Sequence, residues 1–457
     1  MSGGGDTIYA LSSAPGQAGV AVVRVSGAAA DLICTDLAGV MPVPRRAVLR
    51  TLSDPAHSGP IDQALVLRFP GPESYTGEDI VEFQVHGGRA VLDALFGALA
   101  RYDRVRMAEP GEFSRRAFVN GRLDLTEVEG VADLIAAETE AQRRAALDQA
   151  GGALSRLHGG WRERLVRQLA HVEAFLDFPD EDLPDDVLDE LKASISALSG
   201  EITAHLADAR RGERLRDGVS VAIIGPPNAG KSTLLNALAE REVAIVSEKP
   251  GTTRDILEAH LNLGGWPVVL VDTAGLRETD DSVEQEGVRR ARQRAAGADL
   301  VLTLCPAPLI PEPPRFESYR APDNELLTDV GPEVIRVVSQ TDRSNLDLQT
   351  RFSGQYDLAV SARQGDGLSE LADLLAARAA DLADGGGRAL PTRLRHRQGL
   401  QESLSALDRA VSWTPEVPPE LLAEDLRLAV RALGRIAGTV DVEDLLDVIF
   451  RDFCIGK

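Results

Sequence analysis

Cysteine is nearly absent from this chain of 457 residues, which carries only Cys34, Cys305 and Cys454. An odd number at wide, irregular spacing gives neither a disulfide framework nor a zinc-ligand pattern, so a reducing cytosolic compartment is expected. Long hydrophobic runs are missing as well. Every apolar stretch meets a charge well short of a membrane span, and the opening MSGGGDTIYA has no basic stretch followed by an apolar core. A soluble, unprocessed protein with no membrane partner is expected. Basic residues are in deficit, 49 Lys and Arg against 71 Asp and Glu, for a formal charge of −22. Cations that neutralise phosphates supply most nonspecific nucleic-acid affinity, so this balance excludes a protein that coats RNA or DNA and leaves only local or shared contact.

What is present points to several domains. At about 150 residues per domain the length suggests about three. Residues 1–120 read as a mixed segment. AVVRVSG (21–27) looks like a strand, and in IVEFQVH (80–86) Val81, Phe83 and Val85 alternate with Glu82, Gln84 and His86, the pattern of a half-buried strand. A helix from Arg89 to Ala100 is expected after HGG. From 121 the periodicity becomes helical. Thr126 with Glu129 is expected as a capping box that opens one long Ala-rich segment running to Gly151 and Gly152. Two further helical stretches flank the acidic linker PDEDLPDD (179–186). Helical character stops near Asp217 and resumes after DGGG (384–387), persisting to about Phe453. A helical domain in two parts, 121–217 and 384–457, split around an insert at 218–383, is the expected arrangement.

The insert carries the recognisable chemistry. VSVAIIG leads into GPPNAGKST (225–233) and then LLNAL, the strand, loop and helix order that a Gly-x-x-x-x-Gly-Lys-Ser pattern needs. The loop residues Asn228, Ala229, Gly230, Lys231, Ser232 and Thr233 are expected to bind a nucleotide. Backbone N–H groups and the helix N-terminus cradle phosphates, Lys231 reaches the β/γ oxygens, and Ser232 reaches Mg²⁺. Thr253 in GTTRD (251–255) offers a second magnesium-linked hydroxyl. In VVLVDTAGL (268–276), Asp272 supplies an aspartate for the metal shell and is followed by Thr273, Ala274 and Gly275, whose N–H can meet the γ-phosphate. Ser361, Ala362 and Arg363 open SARQGDGL, which resembles a loop that packs against guanine. The expected class is therefore multidomain α/β with an inserted Ras-like P-loop GTPase domain.

Two departures stand out. VVSQTD places Ser339 and Gln340 where GTPases carry Asn-Lys and keeps only Asp342. A carboxylate there accepts the N1–H and 2-amino protons of guanine, which adenine does not offer in that arrangement. A guanine site with weakened grip is expected, because the lysine stem normally covers the base and the asparagine helps hold the loop; altered base preference is the alternative. Leu276 stands where Ras-like enzymes place a water-orienting glutamine. Asn228 and Glu284 are the candidates to organise water and charge, against plain readings as a loop-capping amide and an exposed helix acid.

With these residues laid out, the chain resembles the MnmE (TrmE) family of tRNA-modification GTPases over its whole length. The likeness is carried by DTIYALSSAPGQAGVAVVRVSG, SYTGEDIVEFQVHGG, PGEFSRRAFVNGRLDL, the GTPase insert and the terminal FCIGK. The resemblance implies an α+β N-terminal domain that dimerises and binds a tetrahydrofolate derivative, a discontinuous all-α domain and an inserted G domain. It implies a cytoplasmic homodimer that joins the FAD-binding partner MnmG in a heterotetramer, hydrolyses GTP, and helps place an aminomethyl or carboxymethylaminomethyl group on C5 of the wobble uridine of tRNA. By the same resemblance, folate contacts fall on Arg24, Glu82, Arg122 and Lys457, and Cys454 matches a cysteine implicated in the modification. Asn228 matches a residue that holds K⁺, Ser247, Lys249 and Thr252 complete the ion's cage, and Glu284 matches the acid that orients the hydrolytic water. Pro250 departs from the usual run before GTTRD. The competing classes are an RNA-binding assembly GTPase and a nucleotide switch that only recruits a partner.

Overall fold

Alternation near the N-terminus builds a six-stranded sheet in the order β3–β4–β5–β2–β1–β6. Its strands are β1 (Thr7–Leu11), β2 (Ala18–Ser26), β3 (Val48–Ser53), β4 (Pro60–Phe69), β5 (Ile80–Gly87) and β6 (Val105–Met107). All neighbours run antiparallel except β1 and β6, which are parallel. As the period of two requires, Val81, Phe83 and Val85 face one core with Val23 and Val25, under helices α1 (Ala30–Ala38) and α2 (Arg89–Leu99). Phe83 is fully buried, and truncating such a side chain to alanine costs about 3–5 kcal/mol. Glu82, Gln84 and His86 lie on the other face, half-buried or exposed. The computed structural model describes residues 5–57, 59–177, 185–241, 258–272, 295–307, 333–343, 356–440, 446, 449–450, 453 and 456.

Helix α3 (Glu112–Val119) is clamped by charge. The Glu112 carboxylate accepts from Arg106 Nη2 at 2.6 Å and from Arg116 Nη2 at 3.0 Å, while Arg116 Nη1 reaches Glu78 Oε1 at 3.1 Å. This network places Phe113 in a small core with Ile8, Ala10 and Ala108.

The helical run that follows differs from expectation in two ways. The capping box lies two residues earlier than Thr126 and Glu129, at the start of α4 (Leu125–Ala136). Asp124 Oδ1 accepts the Glu127 N–H at 2.9 Å, and Glu127 Oε2 accepts the Asp124 N–H at 2.8 Å. Thr126 is buried and donates to Asp124 Oδ1 at 2.7 Å, so its hydroxyl supports the cap instead of forming it. The Ala-rich segment is also broken: α4 ends at Ala136 and α5 (Glu140–Ala150) begins after a second box. There the Gln142 N–H donates to Thr139 Oγ1 at 3.3 Å, and the Thr139 N–H donates to Gln142 Oε1 at 3.1 Å. Further helices among the described residues are α6 (Ala153–Asp177), α7 (Asp185–Ala207), α8 (Ala209–Asp217), α9 (Lys231–Arg241), α10 (Leu368–Ala383), α11 (Leu394–Val411) and α12 (Pro419–Ala437). None among the described residues is long and apolar enough to cross a membrane.

The chain divides into two units, one made of Met1–Ala132, Gln149–His171 and Leu426–Lys457, the other of Asp133–Asp148 and Val172–Asp425. The second unit holds another six-stranded sheet, ordered β12–β11–β10–β7–β9–β8. Its strands are β7 (Val219–Ile224), β8 (Glu258–Leu263), β9 (Trp266–Asp272), β10 (Leu300–Pro306), β11 (Glu333–Ser339) and β12 (Leu358–Ala359). They are parallel apart from β8, which forms a hairpin with β9. Every residue of β10 is buried, as in a parallel sheet covered on both faces. Leu234 and Leu238 of α9 and Leu371 and Leu375 of α10 pack into the core with Val221, Ile223, Leu302 and Val337. The central strand β7 has β9 on one side and β10 on the other, and the crevice beyond the carboxyl ends at such a switch point is where α/β sheets bind ligands.

Candidate functional site

The loop from Gly225 to Gly230 leaves β7 at that crevice and enters α9. Gly225 passes close to β10, where a Cβ would lie 2.7 Å from the Leu304 carbonyl oxygen. Asn228 and Gly230 take left-handed φ values of 63° and 91°, which turn the backbone sharply before the helix. Lys231 is 8% exposed and folds back, its Nζ donating to the carbonyls of Gly225 at 2.7 Å and Pro226 at 3.0 Å. The cation therefore sits over the loop, where phosphate oxygens would meet it together with the positive end of α9. Ser232 and Thr233, next along the helix, are exposed. Asp272 ends β9 in register with Ile223, one strand across from the loop. A serine hydroxyl at the start of α9 is a hard oxygen donor of the kind Mg²⁺ takes beside substrate phosphates.

The altered motif after β11 is fastened to this loop. Ser339 Oγ, buried, donates to the Ala229 carbonyl at 2.8 Å, and Gln340 Nε2 donates to the Asn228 carbonyl at 2.6 Å. Both replacement residues thus hold the phosphate loop, the role expected of the missing asparagine, while no lysine stem is present to cover the base. Asp342 follows in a single 3-10 turn, Thr341–Arg343, and accepts from Ser361 Oγ at 2.9 Å. Ser361 is itself fully buried and also accepts the Gln364 N–H at 3.1 Å. One carboxylate oxygen of Asp342 is thereby oriented by protein. Ala362 and Arg363 continue the same turn, Arg363 exposed. The orienting role of Ser361 was not readable beforehand; its signal was only its place at the head of SARQGDGL.

A second constellation lies on the N-terminal sheet. Arg24 of β2 and Glu82 of β5 are cross-strand partners, joined at 2.9 Å. Both contacts, from Arg24 Nε and Nη2, fall on Glu82 Oε1. The guanidinium lies 5.4 Å from the centre of the Tyr75 ring and 5.7 Å from that of Phe113, so it is held between charge and aromatic faces. Burial pushes the Tyr75 phenol up in pKa, and its hydroxyl pairs with Ser114 Oγ at 2.8 Å. Tyr75 and Phe113 were missed in the sequence; an aromatic inside the turn SYTG was the one hint. A carboxylate, an arginine and the half-buried Tyr75 ring suit a flat heterocycle with N–H groups on one edge, while the fully buried Phe113 backs the guanidinium from the core. Arg122 is more remote in its contacts, its Nη2 standing 3.9 Å from Glu73 Oε2. The chain end reaches this sheet at Gly456, whose carbonyl accepts from Ser12 Oγ at 2.9 Å and where a Cβ would lie 2.1 Å from the Leu11 carbonyl oxygen. That close approach explains a glycine in FCIGK.

Glu284, Ser247, Lys249, Pro250, Thr252, Thr253, Thr273, Ala274, Gly275, Leu276, Cys454 and Lys457 lie outside the described residues. Among the described residues, no group of His, Cys, Asp and Glu is placed to hold a metal ion by itself.

Two family profiles match the chain. The MnmE helical domain covers residues 125–454, and the GTP-binding protein TrmE N-terminus covers residues 7–122. The tRNA modification GTPase MnmE of Rhodospirillum rubrum is 52% identical over 465 residues, spanning 99% of each chain. That of Parvibaculum lavamentivorans is 52% identical over 99% of this chain and 100% of its own, and that of Methylorubrum populi is 53% identical over 99% and 98%. At such identity over essentially the full length, the chain belongs to the MnmE family of tRNA modification GTPases.

Proposed function

We propose that this GTP hydrolase works as a K⁺-dependent homodimer with the FAD-binding protein MnmG, installing an aminomethyl or carboxymethylaminomethyl group at C5 of the wobble uridine of tRNA. In this reading the G domain spans 218–383. Ser232 and Thr253 hold Mg²⁺, Asn228 with Ser247, Lys249 and Thr252 holds K⁺, and Glu284 orients the attacking water. The domain over 1–120 takes a tetrahydrofolate through Arg24, Glu82, Arg122 and Lys457, and the helical parts 121–217 and 384–457 complete the protein. The folate supplies a one-carbon unit when bound. Glu82 accepts an N–H from its ring edge, Arg24 meets its acceptors, and the half-buried Tyr75 ring offers an apolar face.

The observation that carries the reading is that one chain has both a phosphate loop closed by Lys231 and a separate Arg24–Glu82 pair beside Tyr75 and Phe113. A nucleotide switch needs only the first. The test is nucleoside mass spectrometry of tRNA from a strain lacking the gene. C5-modified wobble uridine is expected to vanish, and an unchanged profile would refute the function.

A further inference from the structure

Gln340 of the altered motif has a neighbour, Arg343, that neither the nucleotide motif nor the folate reading uses. Among the described residues only four other than glycine have positive φ: Arg45, Arg104, Asn228 and Gln340. Left-handed backbone is unfavourable for residues with a Cβ and persists where neighbours over-determine it. Here two of the four are joined to each other, Gln340 Nε2 donating to the Asn228 carbonyl at 2.6 Å. A glutamine amide has two faces, and only one presents its N–H₂ to that carbonyl. The choice is made by a third residue, since Arg343 Nη1 donates to Gln340 Oε1 at 3.0 Å. With the amide reversed, oxygen would meet the Asn228 carbonyl and N–H₂ would meet a guanidinium, two repulsions at once.

We propose that Arg343 and Gln340 form a positioning relay for the phosphate loop, in which Arg343 sets the direction of the Gln340 amide and Gln340 pins the left-handed backbone of Asn228. The proposal rests on the nucleotide-site reading above and extends it to two residues that replace one. A lysine at 340 donates from every direction and needs no orienting neighbour. Glutamine does need one, and Arg343 supplies it. The relay acts on the loop that holds phosphates, so its effect on affinity is independent of the base.

Calorimetry of GDP and IDP binding to the full chain tests this, because hypoxanthine lacks the 2-amino group that Asp342 would read. Gln340→Glu, which sets a carboxylate against a carbonyl, is expected to weaken both nucleotides by the same factor, about tenfold, and Gln340→Ala by about fivefold. Arg343→Ala is expected to weaken both by about threefold in the native background. In a Gln340→Lys background, Arg343→Ala should leave that background's own affinity for both nucleotides unchanged, since the lysine needs no orientation. An equal cost of Arg343→Ala in both backgrounds, or a loss that differs between GDP and IDP, would overturn the relay. Wild type that binds neither nucleotide would instead overturn the nucleotide site itself.

Discussion

The Ser361 hydroxyl donates to Asp342 Oδ1 at 2.9 Å from a fully buried position, linking the turn after β12 to the turn after β11. The bond orients a carboxylate that can accept both the N1–H and the 2-amino protons of guanine. GTP is therefore expected to bind in preference to ATP. Ser361→Ala should cost about 1 kcal/mol of GTP affinity by freeing the carboxylate, and Asp342→Asn should shift preference from guanine to xanthine, whose C2 carbonyl accepts where guanine donates. Competition calorimetry with GTP, XTP and ATP checks this; equal GTP and ATP affinity in the wild type would remove the guanine assignment.

The Arg24–Glu82 pair predicts a separation of functions. Arg24→Ala and Glu82→Ala should each abolish tetrahydrofolate binding while GTP turnover stays within about twofold of wild type, because each removes one polar partner of a heterocycle and leaves the phosphate loop alone. Equilibrium dialysis with tetrahydrofolate, paired with a phosphate-release assay, reads both. Folate affinity retained in both variants would show that the site lies elsewhere.

Asn228 is expected to make hydrolysis faster in K⁺ than in Na⁺. With Leu276 in place of a glutamine, charge developing between the β- and γ-phosphates needs a further cation beside Mg²⁺ and Lys231. An arginine finger in that role is worth about 10³–10⁵ in rate elsewhere, and a preorganised ion acts by the same electrostatic route. The left-handed backbone at 228 makes alanine a poor probe, since alanine adds strain to the loss of the amide. Asn228→Gly removes the ligand without that strain, and it should lose K⁺ stimulation while keeping nucleotide affinity. Rates measured in the two salts at matched ionic strength decide the matter; equal wild-type rates would end the ion assignment.

Stability should fall in mild acid through His205. Burial holds this imidazole down to about 4, with Asp208 partly offsetting and His396 reinforcing the shift. The residue is neutral in the fold and takes up a proton near 6.5 when unfolded. Its contribution is therefore complete above pH 6.5 and lost as pH falls towards 4, up to about 3 kcal/mol in all. Urea midpoints at pH 7 and pH 5 should differ in the wild type and differ less in His205→Gln. The same pH slope in both would assign the effect to other groups.

Local patterns were legible and distant partnerships were not. IVEFQVH declared its strand and its buried face because a period of two survives in any context, and GPPNAGKST declared its loop because six successive residues do the work. The helix start at Asp124 was misplaced because two overlapping patterns, Asp124 with Glu127 and Thr126 with Glu129, sit two residues apart, and only burial of Thr126 and Glu129 chooses between them. The break at Thr139 was hidden by alanine-rich periodicity on both sides. Ser339 looked like a defect because its partner, the Ala229 carbonyl, is 110 residues away. Phe113 beside Arg24 depends on the charge network of Glu112, Arg106 and Arg116, which no spacing rule announces.

The central claim, that this chain couples GTP hydrolysis at one site to one-carbon chemistry at another in tRNA modification, is tested most directly by complementation. A strain lacking the gene would carry the wild-type chain, Lys231→Ala or Arg24→Ala, and its tRNA would be digested and its nucleosides weighed by mass spectrometry. Wild type should restore the C5-modified wobble uridine. Lys231→Ala and Arg24→Ala should both fail, although purified Arg24→Ala still hydrolyses GTP. Full restoration by either variant would contradict the account.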